Sequence, residues 1–426
     1  MVPKHSQILV VGTGAFGIST ALHLLRRGYT NVTVIDRASM LPAPDAASTD
    51  INKVVRTSYS EVIYTKLTQA AIEEWKKEEW GDTYQESGVL LRGGYGSYGN
   101  LALANDKSCS VHIQEFQNGE ELRSIYSPNI ELGPLLLDKF EGYLNKDSGW
   151  AKARQGVELA IEQVRRLGGR VEGNKQVVGI LPDGQGVKLS DGTEMKAELA
   201  VIATGSWTPS TFGSLGLSDR VLATGQCIAT IQLAPEEAEI YKDVPVVLDY
   251  TTGFYMFPPN PENIVKVAIH FAGFTNPQGQ VEGRSVSTPR TFLTHDNGGA
   301  IPKHVVKKLR ESVAGVYPEL GKKPFSGTRL CWYADTSDSD WLIDFHPDYP
   351  SVLFATGGSG HAYKFLPILG CLVVDRIENT LDPLLTRKFA FDRIFTGGHT
   401  SDLSRALNAP TQLDLGELCT PEDLLS

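Results

Sequence analysis

The spacing of apolar and polar positions changes twice before residue 40. A continuous apolar run, Ile8-Leu-Val-Val, ends at Gly12-Thr-Gly14-Ala15-Phe16-Gly17; apolar residues return at Ile18, Ala21, Leu22 and Leu25, Gly28 interrupts them, and Val32-Thr-Val-Ile ends on Asp36. A short apolar run bounded by glycine predicts a buried strand, and the i, i+3, i+4, i+7 spacing predicts a helix, so the opening reads as strand, turn, helix, strand. Further along, the pattern predicts a helix over 150–167, with Val157, Ala160, Ile161 and Val164 on one face. Short strands follow over 171–204, punctuated by Pro-Asp-Gly and Ser-Asp-Gly turns. Residues 221–271 read as β-rich with a hairpin turn at Thr251-Thr-Gly253, residues 303–314 as a charged helix, and residues 366–377 as a helix.

The step from an apolar strand into small residues recurs at 199–205 and at 351–360. Three such steps far apart in sequence predict an α/β fold with a discontinuous Rossmann-like domain, formed by 1–88, 150–220 and 326–395. An α+β substrate domain on a mixed β-sheet is then interleaved with it, from 89–149 and 221–325, and 396–426 form a C-terminal extension. No internal repeat or low-complexity tract separates the two.

The chain has 426 residues, 41% apolar and 21% charged, enough for a large core and two domains. A net charge of -10 offers no basic stripe for nucleic acid. No apolar run reaches the ~20 residues of a membrane span, since Pro367 and Gly370 interrupt the longest. The five cysteines are scattered, without a CxxC or a His/Cys cluster, which predicts free thiols and no structural metal. Absence of a leader pattern before Ile8, and a Leu-Leu-Ser ending unlike a peroxisomal tripeptide, make cytoplasm the expected location. Asn31-Val-Thr matches a glycosylation sequon by chance, at the entry to a strand.

The glycines carry the first chemistry. Gly12 suits a tight turn, Gly14 lets a pyrophosphate approach bare backbone at a helix N-terminus, Gly17 lets the helix pack on the sheet, and Asp36 can accept ribose hydroxyls. The acid favours NAD or FAD over NADP and leaves those two open. Lys266, inside the apolar run Ile264-Val-Lys-Val-Ala-Ile, shares one strand face with Ala268 and His270. It is either a lysine snorkelling from an edge strand or a cation facing a cofactor cavity. Ser359 lacks the second glycine of a nucleophile elbow, because His361 stands there, and Cys331 on spacing alone reads as a small core residue.

Taken together, the glycine turn, residues 48–56, Ala203-Thr-Gly205, Tyr255 with Lys266, Cys331-Trp-Tyr, and Gly357-Gly-Ser-Gly-His-Ala-Tyr-Lys364 resemble the sarcosine oxidase and amadoriase family of flavin amine oxidases. The resemblance implies FAD, bound in a domain of the glutathione reductase and D-amino acid oxidase type. It places Gly12, Gly14, Ala15, Phe16, Gly17, Asp36, Arg37, Ser48, Thr49, Asn52, Lys53, Val178, Gly205, Trp207, Gly358, Gly360, His361 and Lys364 around the cofactor, with Cys331 joined to the flavin through sulfur. By the same resemblance Lys266 promotes reduction of oxygen, Arg56 and Lys364 grip a substrate carboxylate, and Tyr255 and His270 line the pocket. Thr49 and Lys53 depart from the sarcosine oxidases, which have histidine and arginine there, while Asn52-Lys53, Ala334-Asp-Thr and Leu342-Ile-Asp344 look like the fungal amadoriases. His270 stands where fructosyl-specific amadoriases have an acid. The implied activity is oxidation of the C–N bond of a secondary or N-alkyl α-amino acid to an imine, with release of hydrogen peroxide, by a monomer. The alternatives are a deglycating fructosyl amino acid oxidase or a flavin-bearing binding protein without turnover.

Overall fold

A computed structural model describes residues 2–93, 98–138, 140–394 and 409–425; residues 396–408 of the expected C-terminal extension lie outside the described residues. The apolar opening run forms the strand Ile8–Val11 near the middle of a six-stranded sheet. It pairs in parallel with Val32–Ile35 on one side and Leu199–Ile202 on the other; Arg170–Glu172 and Val352–Thr356 extend the sheet in parallel, and Leu342–Phe345 closes one edge antiparallel. Strands buried on both faces need covers on both, which explains their unbroken apolar runs. The helices Ala15–Arg26, Ala153–Arg166 and Leu366–Ile377 cover one face around Val10, Val34 and Leu353. The small antiparallel sheet of Val177–Ile180, Gly186–Leu189 and Glu194–Lys196 covers the other, around Leu9, Val11 and Ile202.

A ten-stranded mixed sheet forms the second layer system. Its long central strand Leu222–Gln232 pairs antiparallel with Ile264–Ile269 and with Gly327–Asp335. Beyond Ile264–Ile269 come Phe254–Met256, then Val246–Asp249, then Val89–Arg92 running parallel to it. Alternation divides this sheet cleanly. Val265, Val267, Ile269, Cys227, Ala229 and Leu330 face the helix Lys303–Val316 in one apolar core. Ala268, Ile228, Cys331 and Tyr333 face the opposite way, with Tyr255 and Ala47 against them. A three-stranded sheet, Asn52–Val55, Gly149–Lys152 and Tyr84–Gln85, is the third element that bears on the site.

The helix expected from residue 150 begins at Ala153, because Gly149–Lys152 is a strand with partners on both sides. Two helices escaped the period: Val62–Trp75 buries Thr65 and Thr68, and Tyr98–Ser108 buries Asp106. Polar residues at core positions blur the apolar stripe on which such a reading depends. The edge-strand reading of Lys266 is also corrected. Its strand lies between two others and the side chain is fully buried. No helix among the described residues is long and apolar enough to cross a membrane.

Candidate active site

Two cavities meet between the sheets, sharing Lys53, Tyr333, Ser359, Gly360 and Tyr363 in their walls. The first runs along the C-terminal end of Ile8–Val11. Gly12, at φ 108°, could not carry a side chain: a Cβ there would lie 2.4 Å from the carbonyl oxygen of Ala203, and one at Gly17 would lie 1.9 Å from the oxygen of Gly12. The turn and the helix Ala15–Arg26 are therefore drawn tight, and no side chain caps the helix at Gly14. Its first-turn amides point along the axis at a cavity lined by Gly14, Ala15 and Phe16, an arrangement suited to a pyrophosphate. Asp36 lines the same cavity; its Oδ2 accepts from the amide and hydroxyl of Thr13 at 2.8 and 2.7 Å, and its Oδ1 from the amide of Ala38. A carboxylate has acceptor sites left after these bonds, as a ribose requires. Arg37 stacks on Trp207 at 3.9 Å and pairs with Asp45; Ser48, Gly205 and Gly358 complete the wall.

Several residues expected at the cofactor stand outside the wall of the first cavity. Val178 is 47% exposed on the outer side of its strand, and its neighbour Val177 lines the cavity. Gly17 acts through helix packing rather than through the cavity wall. Thr49 and Asn52 are buried beside the site and outside both walls; the Thr49 hydroxyl and both polar atoms of the Asn52 amide find no partner among the described residues. Cys331, 1% exposed, packs with Ala47 and Tyr255 and has the Lys53 Nζ 3.9 Å from its Sγ. His361 and Lys364 line the second cavity, not the first.

At the junction stands a buried charge cluster that residue spacing had not singled out. The Asp50 Oδ2 accepts from Lys53 Nζ and from Lys266 Nζ, each at 2.7 Å, and Lys266 also donates to the carbonyl of Asn52 at 2.6 Å. Burial opposes ionisation of Asp50, yet Lys266, Lys53 and Arg329 together hold its carboxyl well below the usual range. Burial pushes Lys266 down to about 8 despite the same carboxylate. Lys53 lies in the strand Asn52–Val55 and Asp50 in the bend before it, so the helical i, i+3 rule gives no signal for this pair.

The second cavity is walled by tyrosines and two deeply set basic side chains. Arg56 donates to the carbonyl of Ser58 and lies 3.3 Å from the Tyr98 hydroxyl, with its guanidinium over the rings of Tyr59 and Tyr250. Lys364, 5% exposed, donates to the Tyr59 hydroxyl at 2.7 Å and to the carbonyl of His361 at 3.1 Å. Tyr255 and His270 line the same cavity. Segment 57–58 is fixed from behind by Asp106, whose carboxylate accepts from Thr57, Ser58 and Tyr143. Tyr59, Tyr98, Tyr250 and Asp106 carry no motif and are found only through the fold.

Residues 7–376 match the family model described as DAO, FAD dependent oxidoreductase. The chain is 30% identical over 402 residues to L-saccharopine oxidase of Schizosaccharomyces pombe, covering 88% of this chain and 90% of the relative. It is 24% identical over 384 residues to human peroxisomal sarcosine oxidase, covering 86% and 90%. Among solved structures, fructosyl amine: oxygen oxidoreductase (Amadoriase I) of Aspergillus fumigatus superposes with a TM-score of 0.84 at 26% identity, covering 98% of both chains. The bare helix N-terminus, the acid in the wall of the same cavity and the match over most of the chain lead to one conclusion: this protein belongs to the DAO family of FAD-dependent oxidoreductases.

Proposed function

We propose that this protein oxidises the C–N bond of a secondary or N-alkyl α-amino acid, with oxygen as the final acceptor. The observation that carries the reading is the pair Arg56 and Lys364. Both basic side chains are deeply set in one cavity, and neither has a carboxylate within ion-pairing distance among the described residues. A substrate carboxylate supplies the missing charge, and two cations from distant segments fix its orientation. Tyrosines around Arg56 leave an amphipathic space for the rest of the substrate. Bound FAD supplies acceptance of a hydride and its return to dioxygen as hydrogen peroxide.

The residues of the first cavity would hold the cofactor, with Asn52 and Thr49 offering otherwise unsatisfied polar atoms to it. Cys331 would anchor it covalently; the Lys53 ammonium beside the sulfur favours the thiolate that such a bond needs. Lys266 would hold a proton and a positive charge where reduced oxygen species develop negative charge. His270 and Tyr255 would shape the substrate cavity. Residues 1–88, 150–220 and 326–395 would then serve mainly the cofactor and 89–149 with 221–325 the substrate, within a monomer.

The relatives bracket the substrate. L-saccharopine oxidase and N-methyl-L-tryptophan oxidase are named for N-substituted amino acids, and the amadoriases for fructosyl amines. His270, in place of an acid, favours the first group. An anaerobic screen for flavin bleaching tests the choice: N-methyl, cyclic or saccharopine-type amino acids should bleach it and fructosyl amino acids should not. Bleaching by fructosyl amino acids alone would make the protein a deglycating oxidase, and bleaching by none of these amines a binding protein.

A further inference from the structure

A zwitterionic amino acid enters with its nitrogen protonated, and that nitrogen must lose a proton before its lone pair can drive hydride departure. We propose that Lys364 takes this proton: its amine is uncharged in the free pocket and becomes the second cation on the carboxylate as the substrate nitrogen is neutralised. The inference rests on the carboxylate reading above and goes further, because it makes binding and activation of the amine one event.

The hydrogen bonds of Lys364 fit an uncharged amine. It has two acceptors, the Tyr59 hydroxyl and the His361 carbonyl, which use both hydrogens of a neutral –NH2 and leave its lone pair. The acceptors are themselves oriented. His361 Nε2 lies 2.9 Å from the carbonyl of Ser339, which can only accept, and an uncharged imidazole that donates there accepts at Nδ1 from Tyr59, 3.1 Å away. Tyr59 thereby turns its oxygen lone pairs toward Lys364.

The surroundings withhold a counter-ion. Every acid in the cavity wall is held by another base: Glu61 and Asp340 by Lys388 at 2.7 and 2.8 Å, Asp338 by Arg393 at 2.8 Å, and Asp249 by Arg92 at 2.8 Å. The charged group facing Lys364 from the strand side is Arg56, a cation, and Tyr59 and His361 flank it with their rings. Burial, reinforced by Arg56, accordingly pushes the Lys364 ammonium well below its ordinary range. A carboxylate placed between the two reverses the balance. The proton then leaves the substrate N–H⁺ and arrives on Nζ; the substrate keeps its electron pair, and the new third N–H is available to the carboxylate. No proton is drawn from solvent.

The test is calorimetric titration of the FAD-loaded enzyme with 2-furoate, a carboxylate without an amine, in phosphate and in Tris, from about pH 6 to about pH 10. Lacking a proton to give, 2-furoate should draw about one proton from solvent per molecule bound at the alkaline side of that range. Lys364→Arg, permanently charged, should bind it without that uptake. Binding to wild type with no uptake, or with uptake unchanged in Lys364→Arg, overturns the inference while carboxylate recognition stands. Equal affinity for 2-furamide overturns the carboxylate reading and the inference with it. Where Lys364→Arg fails to retain flavin, the wild-type measurement alone decides.

Discussion

Asp50 places one buried carboxylate oxygen between two lysines, and each member of that trio behaves differently for being there. Removing its charge leaves Lys53 and Lys266 buried together, a change of the kind that costs about 3–5 kcal/mol. Asp50→Asn should therefore lower the denaturation midpoint markedly. Its folded carboxyl titrates lower than an unfolded one, so the stabilisation is complete above about pH 4 and fades as pH falls below that. Wild type should show this acid limb in urea titrations and Asp50→Asn should lack it; a limb of equal depth in both would assign the acid lability to other carboxylates.

Lys266 titrates in the opposite sense. Burial brings it down to about 8, so its charge is present below that pH and lost as pH rises through it. Reoxidation of reduced flavin by oxygen should slow across that interval in stopped-flow measurements, and Lys266→Met should be slow with no such step. Equal slowing of anaerobic reduction by the amine would point to substrate binding or structure instead.

Among the elements, strand alternation decides which residues share a face with Cys331. In the register of Leu222–Gln232 with Gly327–Asp335, Gln226 stands opposite Cys331 and Thr224 opposite Tyr333, which puts both on the face away from the helix Lys303–Val316. If this face meets the cofactor, acid precipitation should carry the yellow colour down with wild type and leave it in the supernatant of Cys331→Ser. Colour released from wild type would refute the thioether. The βαβ opening, the strand of Lys266 and the helix Leu366–Ile377 were legible in sequence because apolar periodicity there is unbroken. The helix Val62–Trp75 was not legible because Thr65 and Thr68 occupy core positions, and Val177, beside the expected Val178, lines the cavity, since a strand read without its partners has no fixed register. Asp50 and Tyr59 stood in plain view three residues from Lys53 and Arg56, but their roles depend on Lys266 and Lys364, more than two hundred residues away.

At the scale of the molecule, two sheets with separate cores bring a dinucleotide-type cavity and a tyrosine-lined cavity together at Lys53, Tyr333, Ser359, Gly360 and Tyr363. One sheet carries the bare helix end, and the other carries Tyr255 in a cavity wall with Lys266 and Cys331 buried behind it. The segments between them supply Arg56 and Lys364. The central claim is that this junction orients an amino acid by its carboxylate. Anaerobic rapid mixing of the oxidised enzyme with the best N-alkyl amino acid and with its primary amide measures this directly. A charge-assisted hydrogen bond is worth about 1.5–3 kcal/mol, or roughly ten- to a hundredfold, so the acid should reduce the flavin at least about tenfold more efficiently. Reduction by the amide as efficient as by the acid would contradict the account.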